Sequence, residues 1–295
     1  MRAIVRRTLG LAWVLPALVL VGVFVYLPLV QNFQFSTLEW DIYSGSQEYV
    51  GLDNYRRLLD DPVFWSSFGN NLLYAVVSIA FQVFGALVLA ALIESVRSER
   101  WRRSLRAVYF IPSAISLTVA GLLFYFLYEP SLGPLNHLLR AVGLGELAQA
   151  WLGQESTAMS AIIAMSQWQG FGYSTLLFAV AIQRIPGEVY GAAAIDGVGP
   201  VGRFVHVTFP LVREMTGLMA IVTVSGSFQV FNEVMVMTAG GPNNSTQVLG
   251  TWLYRSGFVR NDFGYAAAIA TVLFVITLGI ALAQLWVTRS RRVEW

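Results

Sequence analysis

Six stretches of the chain run for the length of a bilayer crossing without one charged side chain: residues 11–30, 72–93, 107–128, 156–183, 215–232 and 265–288. A bilayer core takes about 20 consecutive apolar residues in helical form. A helix that is apolar on every side belongs in a protein interior or in lipid, and six in one short chain exceed what a soluble core could bury. The pattern predicts an all-α polytopic membrane protein, one domain over 1–295 with six transmembrane helices. Arginines precede the first stretch as they would a signal peptide. Its apolar run is too long for a signal core, and no small-residue cleavage pattern follows, so it is expected to stay as a helix.

Charge and composition sharpen this picture. Charged residues make up 12% of the chain and the mean hydropathy is +0.60, where soluble domains carry about 25% charged residues. All 19 basic residues are arginine. With both termini placed in the cytoplasm, fourteen of them fall on inner segments and five on outer ones, the asymmetry expected of cytoplasmic loops. Trp13, Tyr26, Trp101, Tyr109, Trp252 and Trp286 fall near expected span ends, where amphipathic rings favour the headgroup region. There is no cysteine, which excludes disulfides and thiolate chemistry. His137 and His206 lie far apart and lack metal-ligand spacing, so no metal site is expected. A net charge of +2 gives nucleic-acid binding no electrostatic support.

The inner loop 184–213 carries the sharpest local signal. Pro186 suits the start of a helix, and Glu188 complements the positive end of its dipole. Ala192, Ala193 and Ala194 favour helix and are small. Gly197 is a natural stop in the left-handed conformation. Asp196 breaks the pattern, because an acid at a helix C-terminus is unfavourable. It is either an Asp-Gly turn capping its own backbone or a group awaiting a compensating partner. Gly197-Val-Gly-Pro-Val-Gly202 fits G-x-G-x-x-G but follows a helix rather than a strand, so it is no dinucleotide site. Without lysine the chain has no Walker-type phosphate loop. No arrangement of side chains suggests an enzyme.

Ala192-Ala193, then Gly197, then Val207-Thr-Phe-Pro210 resembles the EAA loop of binding-protein-dependent ABC importer permeases, with Gly191 where the family has glutamate. Tyr49-Val-Gly-Leu-Asp-Asn-Tyr55, Thr238-Ala-Gly-Gly-Pro242 with Thr246, and Phe263-Gly-Tyr-Ala-Ala-Ala-Ile269 are similar to blocks of the carbohydrate group, which includes the maltose, trehalose and glycerol-phosphate permeases. The resemblance implies the ABC type I importer permease fold in a bacterial cytoplasmic membrane. It implies a cytoplasmic coupling helix through Glu188, Gly191, Ala192, Ala193, Asp196 and Gly197 that docks on an ATPase. It also implies a second permease subunit, two ATPase subunits holding ATP and magnesium, and an extracytoplasmic solute-binding protein delivering a sugar. No cofactor is expected on this chain.

Polar residues inside spans are costly and often mark a pathway, although Ser, Thr and Gln also tie helix to helix. Candidates for the pathway are Ser113, Gln169, Gly170, Tyr173, Thr223, Ser227, Asn232 and Glu233. The resemblance implies that Ser113, Gly170, Thr223 and Ser227 contact the sugar. Thr223 and Ser227 share a helical face that would continue to Val230 or Glu233. Glu233 is expected near the outer end of the fifth span, in solvent. The competing reading is an ion-gradient-driven secondary transporter, which would place charged groups at mid-membrane; no expected span has one.

Overall fold

The computed structural model describes residues 13–40 and 45–289. In chain order the elements are α1 (Trp13–Phe35), the strands β1 (Leu38–Trp40) and β2 (Gln47–Tyr49), α2 (Asp53–Asp60), α3 (Pro62–Ser95), α4 (Glu99–Ala114), α5 (Leu117–Leu127), α6 (Pro134–Ala141), α7 (Glu155–Gln183), α8 (Gly187–Ile195), α9 (Pro200–Leu211), α10 (Arg213–Phe228), α11 (Asn232–Met237), α12 (Leu249–Tyr254) and α13 (Phe263–Arg289). The chain divides into two compact units, one holding residues up to Asp61 with Leu253–Val275, the other Pro62–Trp252 with the residues from Ile276 on.

In the first unit α1 is apolar throughout and buries none of its span, as a helix bathed in lipid does. It is tied down at one polar point, where Asn32 Nδ2 donates to Ala267 O at 3.2 Å and to Thr271 Oγ1 at 3.0 Å. The strands pair antiparallel with Glu39 opposite Glu48. Asn54, fully buried on α2, donates to the carbonyls of Ser36 and Leu38 at 3.1 and 2.8 Å. Arg57 reaches Asp262 at 2.6 Å and lies 5.0 Å over the Tyr265 ring.

The second unit is organised on α3 and α7, which pack along their length. α7 has 29 residues, about 43 Å at 1.5 Å per residue. One buried cluster joins Val83, Ala86, Leu87 and Ala90 of α3 to Phe178, Ala179 and Ile182 of α7 and Met219 of α10. A second joins Tyr74 to Ile162, Ile163 and Met165 of α7, Val234 of α11 and Val248. Small residues at these seams let backbones approach, which is how helices associate where lipid removes the hydrophobic drive. Gly172 is the tightest case. A Cβ there would overlap the Tyr109 carbonyl, with the Tyr109 C 2.7 Å away, so glycine alone lets α4 cross α7. From the end of α3, Glu94 takes a two-point ion pair from Arg106 in the middle of α4, Nε at 2.8 Å and an Nη at 2.6 Å.

Two expected spans are broken. The expected span 107–128 divides into α4 and α5, bent by 89°. Pro112 lies in the 3-10 turn that ends α4, and Ser116 caps α5 by accepting from Val119 N at 3.4 Å. Proline removes a ladder donor and a serine cap begins a new helix. The expected span 215–232 belongs to the pair α9 and α10, bent by 71°, and its helix stops at Phe228. Among the described residues three helices are long and apolar enough to cross a membrane, or up to five when each bent pair is one span. The fourth expected span, 156–183, falls in α7, whose middle carries the polar run Ser166-Gln-Trp-Gln169.

Candidate functional site

A cavity of about 310 Å³ lies within the second unit, bounded by α3, α7, α10 and α11. Of the residues expected in a pathway, Gln169, Gly170, Tyr173, Thr223, Ser227, Asn232 and Glu233 line it. Ser113 does not. Its hydroxyl donates to Gln169 O at 2.6 Å and accepts from Tyr173 N at 2.9 Å. Both roles are spent tying the bend after α4 to the backbone of α7.

The shared face of Thr223 and Ser227 does not continue to Glu233 as one helix. Ser227 Oγ donates back to Thr223 O at 2.8 Å, and the helix ends one residue on. Phe231, at φ −153° and ψ −58°, separates α10 from α11. The break frees carbonyls, and Asn71 Nδ2 takes that of Ser227 at 2.7 Å. Non-helical backbone at membrane depth is tolerated only where such partners satisfy it.

Glu233 is the clearest departure from expectation. It is buried, with 4% of its surface exposed, rather than in solvent. The chain restarts as α11 after the break and sets the carboxylate against α3. Tyr74 donates to Glu233 Oε1 at 2.7 Å and also bonds the hydroxyl of Ser166. Beside this, Gln167 Nε2 donates to Ser78 Oγ at 3.0 Å and Gln82 Nε2 donates to Gln167 Oε1 at 3.0 Å. Gly170 faces Gln82, since a Cβ there would stand 2.9 Å from its Nε2.

Tyr74, Ser78 and Gln82 were not among the residues expected in the cavity, yet they line it. Their four-residue spacing is the signal that marks one polar stripe on an otherwise apolar helix. The arrangement offers hydroxyl, amide and carboxylate groups to a polar solute. Among the described residues no group of three His, Cys, Asp or Glu could hold a metal.

The loop residues form a separate feature. Pro186 caps α8 from outside, and Glu188 sits in its first turn. Val198 N bonds Ala193 O at 2.9 Å and Gly197 N bonds Ala194 O at 3.2 Å, with Gly197 at φ +73°. This is the glycine-dependent helix stop. Tyr190 OH meets Thr208 Oγ1 at 3.0 Å and Arg203 Nε donates to Val198 O at 3.0 Å, anchoring α8 to α9. Ala193 is 8% exposed and packs inward, while Glu188, Gly191, Ala192, Asp196 and Gly197 are exposed and Ile195 is 88% exposed. The outward surface is therefore Ala192, Ala194 and Ile195, with Asp196 at its end.

The family model described as "Binding-protein-dependent transport system inner membrane component" matches residues 82–293, from the middle of α3 through α13. The chain belongs to this family. The permease is similar to the probable ABC transporter permease protein YurN of Bacillus subtilis (strain 168), 46% identical over 282 residues covering 96% of each chain. It is 32% identical over 274 residues to the sn-glycerol-3-phosphate transport system permease protein UgpA of Pectobacterium atrosepticum, covering 92% of this chain and 90% of that one. It is 30% identical over 289 residues to the lactose transport system permease protein LacF of Rhizobium radiobacter, covering 96% and 95%. Its fold is that of a chain from a bacterial ABC transporter for the acidic polysaccharide alginate, with a TM-score of 0.87, 22% identity and 99% of each chain covered. The permease is thus a membrane transport component and not an enzyme.

Proposed function

We propose that the permease forms half of the translocation pathway of an ATP-driven sugar importer in a bacterial cytoplasmic membrane. The observation that carries this reading is the cavity between the long helices whose wall sets Thr223, Ser227, Gln169, Tyr173, Asn232 and Glu233 among apolar side chains. A sugar crossing lipid must exchange its water for hydrogen bonds of this kind. The cargoes named for the relatives, sn-glycerol-3-phosphate and lactose, support small polyhydroxylated cargo.

In this reading residues 1–295 are one transmembrane domain with six spans, α7 being the fourth, and both termini are cytoplasmic. A second permease subunit completes the pathway, and an extracytoplasmic solute-binding protein delivers the sugar. Two cytosolic ATPase subunits, which hold ATP and magnesium, receive α8. The exposed face of Ala192, Ala194 and Ile195, rimmed by Glu188, Asp196 and the arginines of loop 184–213, is the docking surface. Closure of the ATPases then moves α8 as a rigid piece, and with it α9 and α10.

The test is sugar uptake into inverted-orientation-controlled vesicles carrying the complete transporter. Uptake that stops without ATP and survives an uncoupler supports the reading. Uptake that persists without ATP and stops with the uncoupler overturns it in favour of an ion-gradient-driven transporter.

A further inference from the structure

The cavity wall is lopsided in charge. Among the described residues that line it, Glu233 is the one acid, and no arginine or histidine is present. Tyr74 bonds Oε1 of the carboxylate at 2.7 Å, and among the described residues nothing donates to Oε2. Only 4% of the residue is exposed, and the wall around it mixes hydroxyls and amides with apolar side chains and carries no cation.

Resting on the reading that this cavity is a sugar pathway, the geometry points to Glu233 as a specificity-determining residue that admits a neutral sugar and bars anionic ones. A sugar hydroxyl donates to Oε2, and hydrogen bonds to a charged acceptor are roughly twice as strong as neutral ones. A phosphate, sulfonate or carboxylate brought within about 4 Å of Glu233, at an effective dielectric near 20, meets a penalty on the order of a thousandfold in occupancy. The relatives do not decide the matter, because their named cargoes include both the anionic sn-glycerol-3-phosphate and the neutral lactose. Tyr74 acts through Glu233: its hydroxyl fixes one oxygen and leaves the other toward the cavity.

The test uses the complete transporter with its solute-binding protein. Radiolabelled neutral disaccharides are compared with uronate and sugar-phosphate counterparts. Glu233→Gln is the decisive variant, because a glutamine oxygen still accepts from Tyr74 and the helix contact survives while the charge is lost. Assembly is checked by co-purification of the ATPases.

Wild type is expected to carry at least one neutral member and to carry anionic members about a hundredfold more slowly or not at all. Glu233→Gln is expected to assemble normally, to carry the same neutral sugar about tenfold more slowly, and to narrow the neutral-to-anionic ratio. Tyr74→Phe is expected to fall between the two. An anionic sugar carried by wild type as fast as a neutral one overturns the inference and leaves the importer reading standing, as does a Glu233→Gln transporter with wild-type rates and ratio. Uptake of neither class overturns the importer reading and this inference with it.

Discussion

Asn71 of α3 holds Ser227 of α10 by its backbone, with Nδ2 donating to the Ser227 carbonyl at 2.7 Å. The same side chain accepts from Leu249 N through Oδ1 at 2.9 Å. One buried amide thus closes the carbonyl freed where α10 ends and the amide that begins α12. Its neighbour Asn70 donates to the carbonyls of Ser245 and Gln247, both at 2.8 Å. The pair clamps the irregular segment after α11 to a long helix. The cavity wall depends on this clamp, because it sets where α10 stops and α11 starts.

Replacing Asn71 by Leu strands one buried carbonyl and one buried amide. Each orphaned group costs about 1–3 kcal/mol, so the expected loss is about 2–6 kcal/mol. Thermal unfolding of the purified permease in detergent reads this as a lower midpoint. A midpoint within a degree of wild type would show that Asn71 is dispensable.

The broad architecture was legible and the cavity only partly so. Charge-free stretches mark the membrane segments because lipid imposes that composition directly. The Gly197 stop was legible because a left-handed residue at a helix end has one favoured occupant. The break between α4 and α5 was signalled by Pro112 and Ser116, but the uninterrupted apolar run around them reads as one helix. Glu233 was misplaced for a different reason. Its burial depends on Tyr74, 159 residues away, and no local pattern carries a contact of that range. Ser113 was assigned to the pathway as a polar residue in an expected span and by resemblance, and its tie to Gln169 and Tyr173 is visible only once α7 is in place. Tyr74, Ser78 and Gln82 had a local signal, their four-residue spacing.

Arg106 and Glu94 form the ion pair that joins α3 to α4, and Glu94 also lies 3.9 Å from Arg102. The Glu94 side chain is nearly buried and that of Arg106 about four-fifths covered. Removing the cation leaves a carboxylate with a poor substitute. Arg106→Met is expected to destabilise the permease by about 1–3 kcal/mol, whereas Arg103→Met, whose partner Glu99 is exposed and 3.7 Å away, should change little. Denaturant midpoints of the two variants distinguish them, and equal midpoints would refute the ranking.

Gly172 tests the close crossing of α4 over α7. Gly172→Ala adds a Cβ into the Tyr109 carbonyl, which is backbone and cannot swing aside. Overpacking of this kind costs about 1–3 kcal/mol and pushes α4 away. Since α4 leads into the bend that Ser113 ties to Gln169 and Tyr173, uptake should fall further than folded yield does. A variant with full yield and full uptake would mean that the seam is looser than the distances imply.

The exposed face of α8 makes the sharpest prediction about partners. Ile195 is almost wholly exposed at the end of a short helix whose stop, Gly197, has a left-handed φ of +73°. Burying an isoleucine side chain is worth about 1.5–3 kcal/mol, so Ile195→Asp should weaken ATPase association about ten- to a hundredfold and lower uptake. Ala194→Trp should act in the same way by blocking close approach. Gly197→Asp strains the stop and displaces the same face, with loss of uptake. Ala193 packs inward, so Ala193→Trp should instead reduce the folded yield. Membrane insertion should persist in Ile195→Asp, Ala194→Trp and Gly197→Asp, as measured by membrane fractionation beside ATPase co-purification. If Ile195→Asp and Ala194→Trp both retained the ATPases at wild-type levels, α8 would not be the docking element, and the motion of the ATPases would have to enter the permease elsewhere.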